Sequence, residues 1–97
     1  MVSYQEAEAL FAKRRGNQKK VGNNTVLHRI DADTLAVRLH QTDVVLLHRD
    51  GSYTLNSGGW RTATTKERMK EWSGAWLYQE KGVWYINGQE FEDGMKV

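Results

Sequence analysis

The residue types best suited to chemistry lie between positions 57 and 68, where a glycine-containing loop leads into a predicted helix. Ser57-Gly58-Gly59 precedes Trp60, and hydroxyl and basic side chains follow within ten residues. Glycine allows close approach to the backbone, hydroxyls donate hydrogen bonds, and arginine can hold a phosphate through two parallel hydrogen bonds. The segment lacks the lysine spacing of a P-loop, so it indicates phosphate or nucleic-acid contact of another kind. The candidate contact residues in it are Trp60, Arg61, Thr64, Lys66 and Arg68.

A purely structural explanation of the same segment stays open. The glycines would then only turn the chain, and the threonines would only cap the helix. The tryptophans are also ambiguous, because four of them within 25 residues are typical of the core of a small protein. Trp60, flanked by Gly59 and Arg61 in a loop, is the one predicted to be exposed. There it would serve as a stacking platform for bases or as a protein-binding hot spot.

The histidines and serines do not assemble into a catalytic or metal site. His28 and His48 are predicted to share an apolar sheet face, which favours partly buried structural histidines. His40 is predicted to lie opposite Asp43 across a tight turn, as in a surface ion pair. No His-x-His pair occurs, and no base, orienting acid and oxyanion hole can be assigned to a serine nucleophile. We therefore expect a protein that is not an enzyme and that uses no metal ion and no cofactor.

The elements that would position the candidate residues are clearest between residues 24 and 57. Four stretches there alternate in polarity or are β-branched, and short polar turns separate them, which predicts an antiparallel meander. The four stretches are 25–31, 34–40, 43–49 and 52–56. Two-residue turns at 32–33, 41–42 and 50–51 would give the pairs Ile30–Leu35, Leu39–Val44 and Leu46–Leu55. All six would share one apolar face with Val26, Val37 and Tyr53, which supports this register.

The opposite face of the meander is predicted to be apolar in its middle and basic at its edge. Arg29, Arg38 and Arg49 lie on it and are the remaining candidates for nucleic-acid contact. The net charge of the chain is only +2, but residues 13–68 carry 11 basic and 5 acidic side chains. We therefore expect a positively charged surface on a protein whose positive and negative charges nearly cancel.

Two short helices flank the meander. Ser3 and Glu6 form a capping box, which predicts a helix that includes Phe11 on its apolar stripe and ends at Gly16. Thr64 and Glu67 form a second box and predict a helix that ends at residues 73–74. An aromatic hairpin with a turn at residues 81–82 follows.

The predicted fold class is thus α+β, with a four-stranded antiparallel meander, two short helices and a C-terminal aromatic β-hairpin. The same pattern is also compatible with a small, partly closed barrel. We expect one domain over residues 1–97. Its predicted parts are an N-terminal helix (1–16), a connector (17–23), a β-rich core (24–91) and a frayed tail (92–97).

Two stretches of the chain, RLHQTDVV and LNSGGWRTATTKERM, together with the aromatic YQEKGVWY, carry a resemblance to known proteins. The run from Gly22 to Ile86 resembles a group of small uncharacterised proteins encoded by bacteriophages, particularly phages of actinobacteria. The resemblance implies a phage protein that acts in the cytoplasm of the host cell, and it implies no activity.

The composition limits the classes of partner that the protein is expected to bind. The chain has no cysteine, and its longest apolar run is four residues, so neither a disulfide scaffold nor a membrane partner is expected. The leading hypothesis is a non-enzymatic phage accessory protein that binds nucleic acid through the basic sheet face and the Gly-Trp-Arg/Thr loop. The alternatives are an inhibitor of a host defence protein and a sponge for a small signalling nucleotide. The sequence does not decide between DNA and RNA, nor whether the chain forms a homo-oligomer.

Overall fold

The computed structural model describes residues 1–10 and 18–97, and these form two helices and two antiparallel sheets. The helices are α1 (Tyr4–Ala9) and α2 (Ala63–Ser73). The larger sheet has the spatial order β1 (Gln18–Gly22), β2 (Thr25–Asp31), β3 (Thr34–Leu39), β4 (Thr42–His48), β5 (Tyr53–Leu55), β9 (Met95–Lys96). The smaller sheet has the order β6 (Leu77–Glu80), β7 (Val83–Ile86), β8 (Gln89–Glu90). The predicted α+β class and the predicted aromatic hairpin β6–β7 are confirmed.

The larger sheet extends the predicted four-stranded meander by one strand at each edge. Residues 18–22, predicted to be a connector, form β1 and pair with β2. Residues 95–96, predicted to belong to a frayed tail, form β9 and pair with β5. The Val97 amide N–H also donates to the Tyr53 carbonyl at 2.8 Å, which ties the C-terminus to the sheet. The edge strands β1 and β9 do not pair, so the sheet stays open and does not close into a barrel.

The predicted register is wrong in β2 and β4 because each of these strands contains a β-bulge. The extra residue is Ile30 in β2 and Val44 in β4. A bulge adds one residue to one strand, so the two faces of that strand exchange beyond it. Leu27 and Leu47 are therefore fully buried in the core. Ile30 is 47% exposed, and Leu46 is half-buried on the outer face.

The turns of the meander explain the remaining differences in register. The turn at residues 32–33 is confirmed. The β3–β4 turn falls at residues 40–41, where His40 adopts a φ of 56°. The β4–β5 connection is a three-residue loop (49–51), because the His48 amide N–H donates to the Ser52 carbonyl at 3.0 Å. The predicted Leu46–Leu55 pair is accordingly replaced by Val45–Leu55.

A single core cluster joins the larger sheet to the elements that cover its inner face. Helix α1 contacts β3 and α2 contacts β4. Trp72 of α2 and Trp84 of β7 are almost fully buried in this cluster. The Ser3–Glu6 capping box of α1 is confirmed, whereas the predicted extension of this helix over Phe11 to Gly16 lies outside the described residues.

Helix α2 begins two residues earlier than predicted. The side chain of Thr62, not that of Thr64, caps it by accepting a hydrogen bond from the Thr65 amide N–H at 3.2 Å. The helix ends as predicted at Gly74, whose φ of 68° suits a residue without a Cβ atom. Thr64 therefore lies in the first turn of the helix, where its side chain is exposed.

Candidate functional site

A loop of residues 56–62 joins β5 to α2, and side-chain hydrogen bonds hold its conformation. Ser57 is fully buried, and its amide N–H and its hydroxyl both donate to Asp93 Oδ1, at 2.9 and 2.7 Å. Gly58 has a φ of 61°, and a Cβ atom there would lie 2.6 Å from the Thr42 hydroxyl oxygen. Only glycine fits this position without displacing its neighbour. The loop is therefore fixed both to the C-terminal segment and to β4.

The loop presents Trp60 to solvent, as predicted, with 71% of the residue exposed. Its amide N–H donates to the Ser57 carbonyl at 2.9 Å, which closes the turn beneath the indole. Beside the indole lies an open cavity of about 500 Å³. This cavity, called the Trp60 cleft below, is lined by Leu39, His40, Gln41, Thr42, Val44, Ser57, Trp60, Thr62, Thr64 and Thr65.

The Trp60 cleft combines an aromatic wall with hydroxyl groups and a helix start. Three threonines from the beginning of α2 line it, namely Thr62, Thr64 and Thr65. Helix geometry leaves the amide N–H groups of the first turn without partners inside the helix. The N–H of Thr65 is satisfied by the Thr62 cap, whereas those of Ala63 and Thr64 donate to no group within residues 1–10 and 18–97. Thr64, whose exposed side chain lines the cleft, can therefore donate a hydrogen bond to an anionic group, and the Trp60 indole can stack against a planar one.

Two cations lie close to this end of α2. The Arg61 guanidinium carbon is 5.2 Å from the Phe91 ring centroid and 5.6 Å from that of Trp84. The Lys66 ammonium is 5.7 Å from the Trp84 centroid and donates to Gln79 Oε1 at 2.9 Å. Neither forms an ion pair with a carboxylate of the described ranges, 1–10 and 18–97. Both positive charges therefore lie over the Trp84 and Phe91 rings without a carboxylate partner in these ranges, and neither side chain lines the cleft.

Arg29 and Arg49 do not form the predicted basic binding face. Arg29 Nη2 lies 2.6 Å from Glu8 Oε2, and its Nη1 donates to the Tyr4 hydroxyl at 3.0 Å. The guanidinium of Arg49 lies over the Tyr4 ring at 5.0 Å, and its Nε donates to Asp33 Oδ1 at 2.9 Å. Both arginines thus attach α1 to the β2–β3 hairpin. The bulge in β2 explains this, because it turns Arg29 toward the helix side of the sheet.

The other two predicted arginines differ from each other. Arg68 is mostly buried and donates from Nε to the Thr25 hydroxyl at 3.0 Å, so it fastens α2 to β2. Arg38 stays on the outer sheet face, partly exposed and without an ion pair to any residue that the structure describes. The predicted pair of His40 with Asp43 is wrong. Asp43 Oδ1 instead lies 2.6 Å from His28 Nε2, and His40 lines the Trp60 cleft.

The ion pair between Glu8 and Arg29 predicts a pH dependence of stability. The hydrogen bond from Arg29 holds the pKa of Glu8 below its ordinary value. A carboxyl group with a lowered folded-state pKa stabilises the fold above its unfolded pKa, and this contribution disappears as the pH falls through the folded pKa. We expect Glu8→Gln to lower the melting temperature at pH 7 and to leave it unchanged at a pH below both pKa values. Melting curves at both pH values test this, and an equal loss at the two would contradict it.

The anchor of the loop gives a second prediction. In Asp93→Ala the buried amide and hydroxyl of Ser57 lose their acceptor, which we expect to cost about 1–3 kcal/mol of unfolding free energy. Asp50→Ala is the matched control, since Asp50 accepts the same two hydrogen bonds from Ser52, at 2.9 and 2.6 Å, in an exposed turn. We expect little change there. Urea denaturation measures both variants, and equal losses would show that the burial of Ser57 does not increase the cost of losing its acceptor.

Sequence reasoning missed two contributors to the Trp60 cleft. The sequence analysis predicts a frayed tail that includes Asp93, although Asp93-Gly94 is a turn-forming dipeptide and thus a signal of an ordered segment. The sequence predicts a turn at Thr42, whereas Thr42 begins β4 and its side chain occupies the space that a Cβ atom on Gly58 would need. The contact of Thr42 with Gly58 joins residues far apart in the chain, and no local pattern signals it.

Fold and cleft together define a small α+β protein with an open, hydroxyl-rich cavity beside an exposed tryptophan. No group of three or more His, Asp or Glu side chains that could hold a metal ion occurs in the described ranges. Neither α1 nor α2 has the length and apolar character needed to cross a bilayer.

A family model described as Kyanoviridae Gp96 protein matches residues 2–97, so the chain belongs to this family of phage proteins. The match confirms the resemblance to phage proteins and does not support the narrower assignment to phages of actinobacteria. Comparisons with curated proteins and with solved structures found no match.

Proposed function

We propose that the protein is a non-enzymatic binding protein that takes a nucleotide unit of single-stranded nucleic acid into the Trp60 cleft. The observation that carries this proposal is the placement of a 71% exposed tryptophan beside a hydroxyl-lined cavity at the start of a helix. The exposed indole of Trp60 offers a planar apolar surface that a planar ligand can cover. Stacking of a base on an aromatic side chain contributes about 1–3 kcal/mol and tolerates any base.

The other groups of the site suit the phosphate of the same nucleotide. The amides of Ala63 and Thr64 lie at the positive end of the α2 dipole, which attracts anions. The exposed hydroxyl of Thr64 adds a donor. Arg61 and Lys66 lie outside the lining of the cleft, over the Trp84 and Phe91 rings, and would contact the phosphates of a strand that continues past the start of α2. The predicted contacts Trp60, Arg61, Thr64 and Lys66 thus stay in the proposal, while Arg29, Arg49 and Arg68 leave it.

The ligand can reach the cleft as part of a strand or as a free nucleotide, since both present the same base and phosphate. The cleft is open to solvent, so a strand can continue beyond the bound nucleotide. A protein that retains a free signalling nucleotide would use the same residues. Competition between the strand and the free nucleotide distinguishes the two functions. Duplex nucleic acid should bind less well, because its bases are stacked on each other and cannot reach Trp60.

Fluorescence anisotropy of a labelled, mixed-sequence twelve-nucleotide single strand tests the proposal. With two or three phosphates contacted, we expect the affinity to fall by about 7- to 20-fold between 50 and 200 mM salt. The duplex of the same sequence should bind more weakly than the single strand. If a mononucleotide or cyclic dinucleotide competes with the strand and has the lower dissociation constant of the two, the free nucleotide is the ligand. Absence of binding by all of these probes at 50 mM salt would overturn the proposal.

A further inference from the structure

The outer face of the smaller sheet carries an aromatic row that the Trp60 cleft does not use. Trp76, just before β6, packs against Tyr78 with ring centroids 5.2 Å apart. Tyr78 stacks on its cross-strand partner Tyr85, also at 5.2 Å and with the ring planes 15° apart. Trp76 is 68% exposed, and the two tyrosines are partly exposed. These three residues are called the Trp76 face below.

The Trp76 face is not required to complete the core of the protein. Residues on the other side of the same strands, Leu77, Trp84 and Ile86, are almost fully buried and close the hydrophobic core. The alternation of the strands therefore places one aromatic layer inside and a second one outside. A contiguous aromatic patch of this kind on a small protein marks an interaction surface.

The charges around the Trp76 face are acidic. Glu90 of β8 is the direct partner of Tyr85, and Glu80 of β6 lies two residues beyond Tyr78, so the register puts both carboxylates on the aromatic side. Both are exposed, and neither forms an ion pair within residues 1–10 and 18–97. Lys81 lies in the hairpin turn, at the end of the face that is farthest from Trp76. A phosphate backbone would be repelled here, in contrast to the surroundings of the Trp60 cleft.

We propose that the Trp76 face binds an arginine-bearing segment of a partner protein. A guanidinium group is planar, stacks on indole and phenol rings, and forms paired hydrogen bonds with carboxylates. The tilted rings of Trp76 and Tyr78 and the stacked ring of Tyr85 share one side of the sheet with Glu80 and Glu90, so this side offers both interactions. Tryptophan and tyrosine are also the residues that dominate the energy of protein interfaces. The protein would then have two separate surfaces, one for nucleotides and one for a protein.

Selection from a random heptapeptide display library on the immobilised full-length chain tests this inference. We expect the enriched peptides to contain arginine at one or more fixed positions. Enrichment that lacks arginine, or no enrichment, would overturn the proposal. Selection in the presence of saturating single-stranded oligonucleotide should give the same peptides, and loss of enrichment there would place the peptide in the Trp60 cleft instead.

Titration of the best peptide against variants then locates the contact. Trp76→Ala should weaken its affinity by about 3- to 30-fold, as expected for loss of a cation–π contact. Glu90→Gln should also weaken it, and Trp76→Phe should retain most of it. Trp60→Ala is the matched control, because it removes the other exposed tryptophan and should leave the affinity unchanged. Equal affinity of the wild-type protein and Trp76→Ala would contradict the assignment even when arginine is enriched.

Discussion

Trp60→Ala is expected to weaken the binding of a single-stranded oligonucleotide by roughly 5- to 150-fold, the equivalent of about 1–3 kcal/mol of lost stacking. The melting temperature should hardly change, because 71% of Trp60 is exposed and an exposed side chain contributes little to the folded state. Anisotropy titrations and thermal melts of the same preparation measure the two effects together.

The matched control for this variant is Trp76→Ala. Trp76 is 68% exposed, so the two substitutions remove the same side chain from nearly the same degree of exposure. Oligonucleotide affinity should be unchanged in this control, since Trp76 lies on the sheet side that carries Glu80 and Glu90. A large loss of stability in Trp60→Ala would show that the indole supports the fold. Equal losses of affinity in both variants would show that binding depends on aromatic surface in general.

Leu47→Asp is expected to abolish cooperative folding. Leu47 is fully buried and pairs with Leu35 on one side and with Tyr53 on the other, at the centre of the larger sheet. An unpaired carboxylate at this position costs several kcal/mol, which is comparable with the whole stability of a small domain. Circular dichroism should show loss of the folded spectrum and of the thermal transition.

Leu46→Asp is the control that tests the register. Leu46 is the neighbour of Leu47 in sequence but lies half-buried on the outer face, between Ala36 and Thr54. Its carboxylate would reach water, so we expect a folded protein with a lower melting temperature. A folded Leu47→Asp protein together with an unfolded Leu46→Asp protein would restore the register without bulges and contradict the structure.

The elements of the fold were predictable where local chemistry determines them. The Ser3–Glu6 capping box, the left-handed Gly74 and the Lys81-Gly82 turn each depend on residues close together in the chain, and all three are confirmed. The register was not predictable, because the bulges at Ile30 and Val44 leave no mark in an alternating pattern. Beyond the extra residue of a bulge, polar and apolar residues of the strand still alternate, but each of them points to the opposite face of the sheet.

The site was predictable only in part, for the same reason. Glycines on one side and an arginine on the other correctly indicated an exposed Trp60. The partners of the arginines depend on the tertiary arrangement, so Arg29 was placed on a binding face although it pairs with Glu8 of α1. The acidic surroundings of Trp76 likewise depend on cross-strand pairing, in particular that of Glu90 with Tyr85.

The most direct test of the Trp60 cleft as a nucleotide site is a ¹H–¹⁵N NMR titration of the labelled protein with the twelve-nucleotide single strand. We predict that the indole signal of Trp60 and the amide signals of Gly59 and Thr64 shift together and saturate, while the indole signal of Trp76 stays in place. Shifts confined to the outer sheet face around Arg38, or to Trp76, would contradict this account.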